Sequence, residues 1–128
     1  MKLIDHETQA KDDWRQGVTT QMLVSAVTGS SQLTIFDQFC ASGLGAPPHL
    51  HAVEEVLSVI AGRAEISVGD ERSIVTAGQS VIIPAGRMHS FKNIDADGVL
   101  HVRATLAAPI FEASYQDRAE LSRRYVPE

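Results

Sequence analysis

The chain has 128 residues, 44 % of them hydrophobic and 21 % charged, with a formal net charge of −5 at pH 7. That length suits one domain with its own core, and the composition excludes a chain that is disordered throughout. The acidic balance, with no basic run beyond Arg123-Arg124, excludes a nucleic-acid partner recognised through phosphate neutralisation.

In chain order, Met1–His6 lacks the apolar core of a signal peptide. No apolar run approaches the ~20 residues of a membrane span, so a cytoplasmic protein with no membrane partner is expected. Residues 1–19 show no clear periodicity and read as an N-terminal arm. Its one tryptophan, Trp14, is expected to lie against the domain or a partner subunit, with a place in the pocket wall as the alternative. His6 is expected to be solvated. Residues 20–108 form the β domain. Strands are predicted over Thr20–Thr28 and Gln32–Cys40, with Gly29-Ser30-Ser31 as the turn between them. Cys40 is the only cysteine, so no intramolecular disulfide forms; a small buried strand residue is expected rather than a reactive thiol. Residues 43–48, rich in Gly and Pro, read as a loop. Further strands are predicted over Glu54–Ile60, Ala64–Val68, Ser73–Thr76, Val81–Ile83, His89–Asn93 and Val99–Leu106, with hairpin signals at Gly69-Asp70 and Asp97-Gly98. Many short strands with regular turns indicate an all-β sandwich or barrel. Over residues 109–128, Phe111, Tyr115 and Ala119 recur at helical spacing, Ser114 and Asp117 resemble a helix start, and Glu120 precedes Arg124 by four. A short C-terminal helix is predicted, packed on the domain or lying over its mouth as a lid.

The chemistry is concentrated in Gly43–Gly62. On an extended strand, residues two apart share a face, so His49, His51, Val53 and Glu55 point the same way. His49 and His51 lie roughly 6.5–7 Å apart along such a strand, close enough for both rings to reach one ion at about 2.0–2.1 Å. Two neutral nitrogens and one carboxylate oxygen suit a divalent first-row metal better than calcium or magnesium. One strand cannot complete the site. Gly78–Asn93 offers the distant donor, His89, after the turn Pro84-Ala85-Gly86. Glu54 has the opposite parity and should point away.

The two stretches together resemble the paired motifs of the cupin family. Gly43, His49, His51, Glu55 and Gly62 match the first motif, and Gly78, Pro84, Gly86, His89 and Asn93 the second, all at the family spacing. The resemblance implies a single-domain jelly-roll β-barrel. It implies metal ligation by His49, His51, Glu55 and His89, and a likeness to proteins that commonly form homodimers. It suggests dioxygenase chemistry first, with isomerase or decarboxylase chemistry behind it. The four ligands leave one or two positions free on a six-coordinate ion. Iron, manganese, nickel, cobalt and zinc all suit the set.

Around that site, Phe91 shares the parity of His89, and Leu57 and Val59 extend the Glu55 face, so the expected ligand is small, partly apolar and oxygen-bearing. Candidates for a catalytic role are Gln38, His101, Arg103 and Arg87. Gln38 reaches metal-bound water if the Phe36/Gln38 face turns inward, and the Leu33/Ile35/Phe39 face is the other choice. His101 and Arg103 alternate with apolar Leu100, Val102 and Ala104, and are expected outward; inward, they would be a base and an anion clamp. Arg87 is expected at the surface, with capture of a substrate carboxylate as the alternative. Two functions stand: a metal-dependent enzyme, and a non-catalytic metal-containing module that binds or senses a small molecule.

Overall fold

The computed structural model describes residues 1–118 and 121–128. Its strands are β1 (Lys11–Arg15), β2 (Val18–Val24), β3 (Thr34–Cys40), β4 (Gly45–Leu50), β5 (Glu55–Ala61), β6 (Arg63–Val68), β7 (Glu71–Thr76), β8 (Ser80–Ile83), β9 (His89–Asn93), β10 (Leu100–Leu106), β11 (Phe111–Tyr115) and β12 (Leu121–Arg124). They form two six-stranded antiparallel sheets, ordered β1-β2-β3-β10-β5-β8 and β12-β11-β4-β9-β6-β7. Period-2 patterning drives this arrangement. In β10, Leu100, Val102, Ala104 and Leu106 are buried while His101, Arg103 and Thr105 are not. The inward sets of both sheets, among them Phe36, Leu57, Val59, Ile66, Phe91 and Phe111, merge into one core.

Three expectations are corrected. The sheets share no ladder among the described residues, so they form a β-sandwich rather than a closed barrel. Closure needs pairing between end strands, and β8 and β12 are only 4 residues each. The described residues of the C-terminal stretch do not form the predicted helix. Phe111–Tyr115 and Leu121–Arg124 pair as an antiparallel hairpin, and β11 also joins β4 through Tyr115↔His49. Ala119 and Glu120, part of the helical pattern, lie outside the described residues. Third, residues 11–15 of the N-terminal arm are a sheet strand paired with β2. No helix among the described residues is long and apolar enough to cross a membrane.

Two local features position the site. Pro47 and Pro48 sit inside β4 although neither can donate to a ladder, and the β4–β9 register shifts between Ala46 and His49. The prolines break the pairing where the strand must re-aim His49. Earlier in the same strand, a Cβ on Gly45 would lie 2.1 Å from the Phe91 carbonyl oxygen, so only glycine allows β4 and β9 to approach there. Next to Lys92, the register partner of Gly45, Asn93 closes β9; it is buried and donates to the carbonyls of Cys40 and Gly98 while accepting from the Asp95 amide, which fixes the following turn. Cys40 is fully buried, and burial pushes its thiol up to about 12, so it is inert packing.

Candidate metal centre

His49 lies late in β4 and His89 opens β9; the two are direct cross-strand partners. His51 follows β4, and Glu55 begins β5 in the other sheet. The expectation of one strand carrying His49, His51 and Glu55 is therefore corrected. The chain leaves the second sheet after Leu50 and enters the first at Glu55, so the four residues face each other across the sandwich. The ring centroids of His49 and His89 are 4.2 Å apart, those of His49 and His51 5.0 Å, and those of His51 and His89 5.3 Å. Glu55 Oε1 lies 2.9 Å from His89 Nε2, and Oε2 lies 3.4 Å from His51 Nε2. All four side chains are buried, and one ligand atom from each falls within 4.8 Å of the others.

Backbone carbonyls hold the rings. Nδ1 of His49 bonds the Pro47 carbonyl at 2.7 Å, that of His51 the Glu112 carbonyl at 2.8 Å, and that of His89 the Arg87 carbonyl at 2.9 Å. A carbonyl only accepts, so each Nδ1 carries the proton and each Nε2 presents a lone pair inward. Nε2 of His51, Nε2 of His89 and Oε1 of Glu55 are buried with no well-formed hydrogen bond. Orphaned acceptors converging on one point are costly, and an ion there satisfies them. Nitrogen and carboxylate donors at this spacing fit a divalent first-row metal. The electrostatics agree. Burial and the nearby His89 hold His49 down to about 3, so it stays neutral and ready to ligate. Burial alone would raise Glu55, yet the close approach of His51 and His89 holds it down at about 2. Burial opposes a charge on His51, but Glu55 outweighs it and raises its proton affinity.

A narrow cavity opens onto His49 and Glu55. Phe36, Leu57, Phe91, Val102, Ala104 and Phe111 make its apolar wall, with Gln38 among them. The Phe36/Gln38 face thus turns inward, and Gln38 Nε2 donates to Thr20 Oγ1 at 3.0 Å. His101 and Arg103 lie outside the sheet, where both bind Asp37: His101 at 2.8 Å, Arg103 through Nε at 2.8 Å and through a terminal nitrogen at 3.0 Å. Arg87 is an exposed loop residue beside Gly69, apart from this cavity. His6 is exposed in a single 3-10 turn and is not brought to the site. Val53 borders a separate pocket with Leu106 and Ile110.

Sequence reasoning missed Arg15, Phe111 and Tyr115. Tyr115 packs on the His49 ring at 5.3 Å and Phe111 on the His51 ring at 5.4 Å. Arg15 lines the cavity next to Trp14, two consecutive residues on one cavity, which strict alternation forbids. The β1–β2 register shifts between Asp13 and Arg15, and that irregularity turns both side chains inward. No pattern in Lys11–Arg15 announces it.

A two-sheet β protein with three histidines and a glutamate aimed into its interior is the class this arrangement defines. Residues 39–102, half of the chain, match the cupin domain family (Cupin_2), and the chain belongs to that family. An uncharacterized protein of Streptomyces coelicolor is 47 % identical over 47 residues, a match covering 37 % of this chain and 45 % of that protein, so it spans less than half of that relative's length. KdgF from Halomonas sp. shares the fold with a TM-score of 0.72 at 16 % identity, covering 84 % of this chain and 94 % of that one. Oxalate decarboxylase of Bacillus subtilis, a protein with Mn(II) centres, gives 0.74 at 17 % identity, covering 87 % of this chain and 31 % of that one.

Proposed function

We propose that the chain is a metal-dependent enzyme whose small organic substrate presents an oxygen to a divalent ion held by His49, His51, Glu55 and His89. Dioxygenase-type chemistry is the first choice, and decarboxylase or isomerase chemistry follows. One observation carries this reading: four buried donors converge, an acceptor atom on three of them is unpaired, and two of the four residues border an apolar-walled cavity. A bound divalent ion supplies Lewis acidity and, if redox-active, electron transfer toward dioxygen. The chain's own residues do the rest. The three carbonyl contacts keep the imidazoles in one tautomer, Glu55 supplies the negative charge, and the apolar wall excludes water from the reacting end. Manganese gains support from the fold likeness to the B. subtilis decarboxylase; iron, nickel, cobalt and zinc fit the same donors. A cytoplasmic homodimer completes the reading.

The second reading, a module that binds or senses a small molecule without converting it, is favoured by one feature. The cavity lining offers no carboxylate or imidazole beyond the ligand group itself, so no spare general base stands ready. Elemental analysis of untagged protein, followed by dioxygen uptake and product screens on catechols, flavonols, β-diketones and keto acids, separates the two. Bound metal with turnover of any of these supports the enzyme. Bound metal with tight retention of an unchanged ligand supports the module, and protein that takes up no divalent metal removes both.

A further inference from the structure

One end of the cavity carries two donors, Trp14 and Arg15, with little to donate to. The Trp14 indole N–H is buried and has no hydrogen-bond partner. Arg15, on the same cavity, donates to the Gly45 carbonyl at 3.1 Å and to the Tyr115 hydroxyl at a long 3.4 Å. No carboxylate among the described residues forms a salt bridge with it, although Asp117, paired with Arg118, lies near enough to feel its charge. Arg124 stacks 4.1 Å over the Trp14 ring, and Arg118, which pairs with Asp117 at 3.1 Å, lies 4.5 Å over the Tyr115 ring. Of these guanidinium groups only that of Arg15 lines the cavity, in a chain whose net charge is −5. Indole and guanidinium groups donate and never accept, so this end repels a donor-rich or cationic ligand and satisfies an acceptor-rich anion.

We infer that the cavity selects a small organic acid whose carboxylate is held by Arg15, Trp14 and Tyr115, with the rest of the molecule running along the apolar wall toward His49 and Glu55. Only the contact at the far end rests on the metal reading above; the anion clamp stands without it. Arg15 is then the specificity-determining residue. Its position depends on the β1 irregularity that places Trp14 and Arg15 on one cavity.

Trp14 is the chain's single tryptophan, so its fluorescence reports occupancy directly. Metal-free and Mn(II)-loaded protein are titrated with malonate, succinate, glutarate and adipate, then with the monomethyl and dimethyl esters of the tightest binder. At least one diacid should saturate the signal in both forms, binding about tenfold or more tightly than its dimethyl ester. Arg15→Gln should weaken that diacid by about tenfold to a hundredfold and abolish its advantage over the ester, with metal content unchanged. Tyr115→Phe should cost a few-fold, and Arg15→Lys, which keeps the charge but loses the planar fork, an intermediate amount. Should Arg15→Gln fail to fold, the last two variants decide: loss in both supports the clamp, loss in neither overturns it. Esters that bind as well as acids, an acid preference that survives in folded Arg15→Gln, or no diacid binding at all overturns the inference. Arg15-dependent binding by protein that takes up no metal would sink the metal reading and leave the clamp standing.

Discussion

Glu55 raises the proton affinity of His51, and a proton on His51 Nε2 would compete with an ion for the same lone pair. Metal affinity should therefore fall on acidification, measured by metal titration at stepped pH. A pH-independent affinity would remove His51 from the ligand set. Stability of the metal-free fold has its own sign. His49 is depressed from 6.5 to about 3, so between those values the unfolded chain binds a proton that the folded chain refuses. Glu55 is depressed from 4.5 to about 2, and its contribution, full above 4.5, is lost toward 2. Both predict that the metal-free protein loses stability on acidification from near 6.5, which urea unfolding at stepped pH will read. Glu55→Gln keeps the shape but removes the site's negative charge. If Glu55 is a ligand, turnover per bound metal should change strongly on whichever substrate is found; equal turnover would exclude it. On the outer face, Asp37 is buried between His101 and Arg103, whose side chains are 23 % and 35 % exposed. Asp37→Ala should cost about 1–2 kcal/mol, discounted for that exposure, a Tm loss of roughly 5 °C, with metal content unaffected.

At the scale of elements, the hairpin β11–β12 shows what the sequence can hide. Phe111 and Tyr115 are four apart, and four is both a helical spacing and an even number, so the same residues satisfy a strand with Ala113 between them. Five residues are too few to separate the two periods. Partners decide instead: β4 offers an open edge, and Tyr115 pairs with His49. The parity argument for His49, His51 and Glu55 met the opposite fate. It put them on one face for the wrong reason, because no Gly or Pro in Ala52-Val53-Glu54 signals that the chain changes sheets. The motif residues were legible because their chemistry is rare; the walls were not, because Arg15 and Tyr115 depend on pairing that is long-range. Phe111→Ala tests the hairpin's role. It deletes a ring that is 2 % exposed, and should cost about 3–5 kcal/mol and loosen His51, lowering metal affinity along with Tm. A wild-type metal affinity in a folded variant would show that the hairpin does not support the site.

For the whole molecule, the proposed dimer has a place to be tested. Ile82 and Ile60 are 67 % and 42 % exposed on neighbouring strands β8 and β5, and Ile74 on β7 is 48 % exposed. Exposed isoleucines at sheet ends invite association. Light scattering should give a dimer mass at micromolar concentration, and Ile82→Lys should shift it toward monomer; a monomeric wild type rejects the assembly.

The division of the ligand group between the two sheets has a mechanical consequence. A chain with one cysteine has no intramolecular disulfide, and no ladder among the described residues ties one sheet to the other. An ion gripping His49 and His89 on one side and Glu55 on the other is a reversible cross-link at the centre of the sandwich. Amide hydrogen exchange should then resolve two separately opening sheets in the stripped protein and a single cooperative unit in the loaded one, with β4, β5 and β9 gaining protection together.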